Sequence, residues 1–195
     1  MITNCGEVKN MAGVRKYLEK DKANLRKICL ETSSFPTQSD IDRNFLYLMY
    51  NDYYSENESE NCFVFTNEED EAVGYILCAE DFDAYIDIMK KSYLPKISYL
   101  GKKYRSMADG EIFVHRLFKK KYPAHLHIDI LPSFQGAGAG TQLVTALKEH
   151  LKEKGCKGLM LSAGMTNKKA IAFYKKNGFR KVINLFGSVI MAYDF

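Results

Sequence analysis

A short Gly/Ala-rich stretch constrains the fold of this chain more than any other feature: Gln135, Gly136, Ala137, Gly138, Ala139, Gly140 and Thr141. Before it, residues 125–131 alternate polar and apolar side chains, which predicts a strand that ends at Pro132. Beyond it, Leu143, Leu147 and Leu151 recur at helical spacing. A bare turn between a strand and a helix brings consecutive backbone N–H groups and the positive end of the helix dipole towards one anion. The stretch therefore predicts a phosphate-binding turn in an α/β fold.

Two common types of phosphate-binding loop do not fit this stretch. A Walker A loop has Lys and then Ser or Thr after its last glycine, whereas Gly140 is followed by Thr141 and Gln142. A dinucleotide-binding loop that began at Gly136 would need its third glycine where Thr141 stands. It would also need an acidic residue after the next strand, and the predicted strand at residues 159–162 ends without one. The turn therefore belongs to a third class.

The third pattern, Gln/Arg-x-x-Gly-x-Gly/Ala, matches at Gln135, Gly138 and Gly140 and resembles the pyrophosphate loop of the GNAT acetyltransferase family. A second segment, residues 167–179, resembles the Asn-x-x-Ala-x-x-Phe-Tyr-x-x-x-Gly-Phe helix of the same family. Each motif alone is weakly specific. Both occur here in the family order, with one helix and one strand between them. The resemblance is close over residues 123–185 and looser elsewhere.

The resemblance implies an α/β (α+β layered) GNAT acyl-CoA N-acyltransferase fold, with a mixed central sheet of about six or seven strands flanked by helices. The residue pattern before the loop agrees, because it predicts a strand, two helices and a hairpin. These elements cover residues 13–18, 21–32, 39–54, 61–66 and 72–79. Residues 81–122 have no counterpart in the minimal fold of the family. Their pattern predicts an insertion of one or two helices over the open end of the cleft. We expect a single domain over residues 1–195.

The composition limits the classes of protein to consider. Five cysteines without a Cys-x-x-Cys pair predict free thiols in the reducing cytoplasm rather than a disulfide framework. The first residues lack the pattern of a signal peptide, and no apolar run is long enough to cross a membrane. A net charge of +4 suits the phosphates of a cofactor but is too small to indicate nucleic-acid binding. We expect a cytoplasmic monomer or homodimer without a nucleic-acid or membrane partner.

The resemblance also implies acetyl-CoA as the cofactor and assigns its contacts. The backbone amides of residues 135–141 would hold the pyrophosphate. In the family the strand before the loop separates from its neighbour, so the main chain of Ile128, Ile130 and Leu131 would bind the pantetheine. The amide of Ile130 would also polarise the thioester carbonyl. Asn167 would bind the pantetheine, cap the helix that follows it, or do both.

Tyr174 in the second motif is the expected general acid, because a phenol stays protonated at neutral pH and can protonate a thiolate of comparable basicity. On the strand before the loop, His125, His127 and Asp129 alternate onto one face. His127 and Asp129 lie nearest the loop and are the candidates for accepting the ammonium proton. Structural histidines remain an equal alternative, and Ser162 stands where some relatives carry a glutamate. Without a third His or Cys at ligand spacing, the His-x-His pair does not predict a zinc site.

An aromatic and polar cluster closes the second predicted helix: Tyr50, Tyr53 and Tyr54. Such a cluster suits the wall of a substrate pocket, and together with Asp129 and Tyr85 it would favour a cationic acceptor with an apolar body. The alternative is that these are surface tyrosines packed on a neighbouring loop. Both interpretations remain open, and we favour the second.

The resemblance implies an acetyl-CoA-dependent N-acetyltransferase. It would transfer an acetyl group to a primary amine of a small molecule or peptide, by direct attack of the amine on the thioester. Residues 122–132 and 81–85 also resemble the acetyltransferase-like domain that is fused to O-GlcNAc hydrolases. Because such domains are often thought not to acetylate anything, the alternative is a non-catalytic acyl-CoA-binding or protein-interaction module on the same scaffold.

Overall fold

The computed structural model describes residues 12–195, whose strands form one mixed sheet in the order β1-β2-β3-β4-β5-β7-β6. The pairs are antiparallel except for β4 and β5, which run parallel. The strands are β1 (Gly13–Lys16), β2 (Phe63–Thr66), β3 (Ala72–Ala79), β4 (Ala124–Ile130), β5 (Gly158–Gly164), β6 (Arg180–Leu185) and β7 (Ser188–Asp194). The predicted sheet, its mixed character and the β2–β3 hairpin are confirmed.

Helices cover both faces of this sheet. They are α1 (Lys22–Thr32), α2 (Asp40–Tyr50), α3 (Asp52–Asn57), α4 (Phe82–Ile88), α5 (Leu94–Leu100), α6 (Lys102–Phe118), α7 (Ala139–Glu153) and α8 (Lys168–Lys176). None of those in residues 12–195 is long and apolar enough to cross a membrane. Several predicted boundaries are confirmed by their caps. Ser39 accepts a hydrogen bond from the Asp42 amide at the start of α2, and Gly155 follows α7 with a φ of 74°.

The insertion at residues 81–122 is helical, as the sequence predicts. A π-helical segment at Met89–Tyr93 joins α4 to α5 without a gap, so residues 82–100 form one helical run and α6 forms a second. Pro95 lies inside the first run, directly after the π-helical segment, and does not end it. The true break is Gly101, which adopts a φ of 134° between α5 and α6.

The central strand β3 separates two hydrophobic cores and is buried along its whole length. Tyr75 and Leu77 point to a core built with α1–α6, whereas Ile76 and Cys78 point to a core built with α7 and α8. A strand buried on both faces must be apolar at consecutive positions, which explains its unbroken hydrophobic run. β4 lies next to β3, so the two faces of β4 pack against the same two helical layers.

The start of β5 offers a direct test of how tightly the sheet packs. A Cβ added to Gly158 would lie 2.7 Å from the Lys121 carbonyl oxygen and 2.7 Å from the Tyr122 ring. We therefore expect Gly158→Ala to lower the free energy of unfolding by about 1–3 kcal/mol in urea denaturation. The control is Gly164→Ala at the other end of β5, where a Cβ would meet nothing within 4 Å. An equal loss in both variants would contradict the packing explanation.

Candidate active site

The Gly/Ala-rich stretch forms an open turn at the start of α7. Gly136 and Gly138 adopt φ angles of 86° and 90°, a region that glycine enters without strain. A Cβ added at Gly138 would meet nothing within 4 Å, so the space above the turn is free. Among the residues that the structure describes, no acceptor binds the backbone N–H groups of residues 136–141. These amides at a helix N-terminus are available to an anion, as the sequence predicts for a phosphate site.

Gly140 needs to lack a side chain for a different reason. A Cβ at this position would lie 3.0 Å from the Phe173 ring and 3.2 Å from Cδ1 of Ile130. Gly140 is also buried, whereas Gly136 and Gly138 are exposed. The last glycine of the motif therefore lets the first turn of α7 pack closely on α8 and on the end of β4.

β4 separates from β5 just before the loop. The two strands pair only at Ala124 with Leu159 and at His125 with Met160, whereas β4 stays paired with β3 as far as Ile130. This is the separation that the family resemblance implies. It leaves the second half of β4 with one edge that no strand covers.

The backbone of Ile128 and Ile130 faces this open edge, but that of Leu131 does not. The Leu131 N–H donates to the Val73 carbonyl at 2.9 Å, and its own carbonyl accepts from the Phe134 N–H at 2.9 Å. Because hydrogen-bonded and non-hydrogen-bonded pairs alternate in an antiparallel ladder, the N–H groups of Ile128 and Ile130 point away from β3. The prediction for the main chain of Leu131 is therefore not supported, since both of its polar groups are already bonded.

Gln135 also differs from its predicted role. Its N–H donates to the Pro132 carbonyl at 3.3 Å, so this amide does not join those of residues 136–141. Its side chain donates instead to the Ile130 carbonyl at 2.8 Å. This bond ties the loop to the end of β4 and leaves the Ile130 N–H as the available polar group of that residue.

The second motif forms α8, with Asn167 as its N-cap. The Asn167 Oδ1 accepts a hydrogen bond from the Ala170 N–H at 3.0 Å, which satisfies one of the free amides of the first turn. The capping role that the sequence allowed is present. The amide nitrogen of this exposed side chain has no acceptor among residues 12–195.

Tyr174 lies on the buried face of α8 against Phe173 and Phe179, whose rings are 5.3 and 5.8 Å away. Its side chain is 9% exposed, and its hydroxyl has no hydrogen-bond partner in the described part of the chain. Burial, together with the charge of Asp129, raises the pKa of Tyr174 above its usual value. The hydroxyl therefore stays protonated at neutral pH.

The predicted polar face of β4 divides into a buried and a more open part. His125 is fully buried, and its Nε2 lies 3.1 Å from the Tyr54 hydroxyl, so it is a structural histidine. His127 is partly exposed, and burial lowers its pKa to about 4. Asp129 accepts a hydrogen bond from the Tyr75 hydroxyl at 2.7 Å, and burial raises its pKa to about 6. His127 is thus neutral at pH 7, and Asp129 is mainly ionised.

Tyr53 and Tyr54 lie in α3 and are not surface residues, so the interpretation that we favour from the sequence is wrong for these two. Tyr53 and Tyr54 are fully buried, because the insertion covers the face on which they lie. Tyr53 donates to Glu58 at 2.6 Å. Tyr50 is partly exposed, and its ring lies 5.2 Å from that of His127. Only Tyr50 can therefore contribute directly to a wall of the cleft.

Two residues of α6 complete this side of the site, and the sequence motifs did not indicate them. The His115 ring stacks on His125 at 4.3 Å, and Oε1 of Glu111 lies 3.7 Å from Nε2 of His115. Burial lowers the pKa of His115 to about 3 and raises that of Glu111 to about 7. The contact is therefore not an ion pair, because His115 is neutral wherever Glu111 is ionised. Both residues lie in the insertion, outside the family motifs, and their i, i+4 spacing was the only available signal.

Fold and site together define an α/β protein that presents bare amides and a free strand edge to an extended, phosphate-bearing cofactor. The model of the acetyltransferase (GNAT) family matches residues 23–179. The chain belongs to this family. Members of this family are acetyltransferases that use acetyl-CoA and act on amine acceptors.

Individual relatives agree with this assignment. An uncharacterized N-acetyltransferase of Methanocaldococcus jannaschii is 39% identical over 64 residues, which cover 32% of this chain and 28% of the relative. The protein O-GlcNAcase of Mus musculus is 24% identical over 89% of this chain and 20% of its own length, which agrees with the second resemblance. The chain thus spans less than a third of either relative. The crystal structure of SsHAT has the same fold, with a TM-score of 0.84, 24% identity, and coverage of 94% of this chain and 98% of that one.

The raised pKa of Glu111 has a consequence for stability. The pKa rises from 4.5 to about 7 on folding, so between these values the folded protein holds a proton that the unfolded chain releases. Stability is therefore lost as the pH rises through this range. We expect Glu111→Gln to raise the free energy of unfolding by about 2 kcal/mol at pH 8, with a gain that shrinks towards pH 4.5.

Denaturation across this pH range measures the effect. The matched control is Asp109→Asn, which removes an exposed carboxylate of the same helix that is paired with Arg105 at 3.0 Å. This control should show no stabilisation that grows with pH. A gain for Glu111→Gln that is absent at pH 8, or equal at every pH, would contradict the buried ionised carboxylate.

Proposed function

We propose that this protein is an N-acetyltransferase that transfers the acetyl group of acetyl-CoA to a primary amine of a small molecule or peptide, by direct attack of the amine on the thioester. The observation that carries the proposal is the row of backbone N–H groups at residues 136–141, which has no acceptor among the described residues and lies beside the open edge of β4. This arrangement fits the cofactor, because a diphosphate needs several converging donors and no intervening side chain.

The open edge of β4 supplies the next contacts in this proposal. The main chain of Ile128 and Ile130 lies towards the space left by β5, where it can bind the amide groups of a pantetheine arm as a further strand would. Bound acetyl-CoA supplies the activated acetyl thioester. The Ile130 N–H then donates to the oxygen of that thioester and stabilises the negative charge that develops on it. Asn167 contributes its free side-chain nitrogen to the same arm.

Two side chains transfer protons in this proposal, and a third orients the amine. Tyr174 donates its proton to the departing sulfur, because its raised pKa keeps it protonated at neutral pH. His127 accepts a proton from the amine, directly or through water, because its lowered pKa keeps it neutral. Asp129, held by Tyr75, orients the incoming amine by its negative charge. The one proton released overall leaves to solvent, since an ammonium and a thioester become an amide and a thiol.

Two measurements test the function as a whole. Isothermal titration with acetyl-CoA should show binding, and free thiol should be released when a panel of primary amines is added. Binding without thiol release for any amine would favour the alternative, a non-catalytic acyl-CoA-binding or protein-interaction module. Absence of binding would contradict the cofactor site itself.

Gly138 offers a test of the phosphate site that separates charge from backbone strain. Asn and Asp have the same size, and both tolerate the left-handed conformation of this position. We expect Gly138→Asp to weaken acetyl-CoA binding by more than about tenfold relative to Gly138→Asn, because only the carboxylate repels a diphosphate. Titration calorimetry on both variants measures the ratio. Equal affinities for the two variants would place the phosphates elsewhere.

Tyr174 offers a test of the proton donor. Tyr174→Phe should leave acetyl-CoA binding nearly unchanged and lower kcat by about 10²–10⁴-fold, the usual contribution of a general acid. The control is Tyr99→Phe, since Tyr99 is 94% exposed and distant from the core. Turnover that is the same in the wild type and in Tyr174→Phe would remove Tyr174 from the mechanism.

A further inference from the structure

The acceptor side of the cleft is built in two layers. The back layer consists of fully buried side chains from four elements: Tyr54, Tyr85, His115 and His125. In front of it lie partly exposed side chains, namely Tyr50, Glu111, His127 and Asp129. The two layers touch, because the Tyr54 ring lies 5.2 Å from the His127 ring and Nε2 of His115 lies 3.7 Å from Oε1 of Glu111. The front layer is therefore the part of this cluster that is accessible to solvent and to a ligand.

Glu111 is the unusual member of the front layer. Its side chain is 22% exposed, and no residue of the described chain donates a hydrogen bond to it or lies near it as a cation. Its neighbour His115, at 3.7 Å, is neutral because burial lowers the pKa of that imidazole to about 3. A mostly buried carboxylate without a partner is unfavourable, so such groups occur mainly where a ligand supplies the opposite charge.

The side chains around Glu111 define what that ligand would be. Burial, with a contribution from the Glu111 charge, raises the pKa values of Tyr50, Tyr54 and Tyr85, so these hydroxyls remain neutral. Aromatic rings continue from Tyr50 to Phe45 at 6.1 Å and from Phe45 to Tyr104 at 5.2 Å. The negative charge of Glu111 beside neutral aromatic rings favours a cation with an apolar body, through charge attraction, cation–π contact and apolar burial.

We propose that Glu111 binds the ammonium group of the acceptor and that the acceptor is an alkylammonium with an apolar or aromatic body. This inference rests on the proposed function, because it names the class of amine that the acetyltransferase would accept. Glu111 lies on the insertion helix α6, outside the two family motifs, so the insertion would determine the acceptor while the motifs hold the cofactor.

Phenethylamine and phenethyl alcohol test the proposal, because they share one body and differ by the ammonium group. Calorimetry on the wild type at pH 8, with and without coenzyme A, should show that phenethylamine binds at least about tenfold tighter than the alcohol. Glu111→Gln should abolish this preference, and Asp109→Asn should retain it. Circular dichroism confirms that both variants are folded. A wild type without the preference, or a Glu111→Gln variant that keeps it, would overturn the proposal.

The pH dependence adds a readout that a merely structural role would not produce. The preference for the amine should be present at pH 8 and fall as the pH drops below about 7, where the Glu111 carboxylate is protonated. Asp129 also titrates near this range, with a pKa raised to about 6. The other groups that face Glu111 are neutral throughout: Tyr50, Tyr54, Tyr85, His115, His125 and His127. If the Glu111→Gln variant keeps a pH-dependent preference for the amine, the pH dependence comes from Asp129 and the proposal is overturned.

Amine binding and thiol release are separate readouts for this inference and for the proposed function. Amine binding is measured without turnover, so a protein that binds phenethylamine through Glu111 but releases no thiol supports the inference and contradicts the enzyme activity. If thiol is released, Glu111→Gln should raise KM for phenethylamine more than it lowers kcat. Thiol release with an unchanged KM would contradict the inference and leave the acetyltransferase proposal intact.

Discussion

The site depends on the point at which β4 and β5 stop pairing. Backbone N–H groups inside a sheet are normally bonded on both sides, and a strand that loses one neighbour exposes a row of free donors and acceptors. Here the pairing ends after His125, while β3 continues to support β4 up to Ile130. The strand is therefore rigid on one edge and available on the other. The Gln135 side chain donates a hydrogen bond to the Ile130 carbonyl. This bond holds the Gly/Ala-rich turn against the open edge of β4.

The same strand also links the cofactor side of the molecule to the acceptor side. Its even-numbered side chains, such as Leu126 and Ile128, pack with α7 and α8, which carry the Gly/Ala-rich turn and Tyr174. Its odd-numbered side chains face the layer of α1–α6, where His127 and Asp129 lie. Both layers thus meet at one strand only a few residues long. A thioester aligned along the edge of β4 would lie between a proton donor from one layer and an amine held by the other.

The parts of this structure that local chemistry determines could be predicted from the sequence. Glycines with positive φ, the Ser39 and Asn167 caps and the alternation along β4 depend on near neighbours in the chain. Tyr53, Tyr54 and Glu111 could not be placed, because their burial depends on how the insertion covers α3 and β4. The expectation that the main chain of Leu131 binds the pantetheine is not supported, for a related reason. Its hydrogen bond to Val73 follows from the register of two strands that are far apart in sequence.

The buried polar atoms that lack partners support a functional origin for this layer. In the described chain, Tyr85 Oη, His115 Nδ1 and His125 Nδ1 are buried and have no hydrogen-bond partner, as is true of both side-chain polar atoms of Asn51. The rings of Tyr85 and His115 pack on His125, and His115 contacts Glu111. Each such atom lowers stability, and apolar residues of similar shape would pack there at lower cost. Neutral imidazoles in the back layer leave the Glu111 charge uncompensated, whereas a single lysine would neutralise it. Glu111 thus has no counter-charge among the described residues, which is what our proposal of an external cation requires.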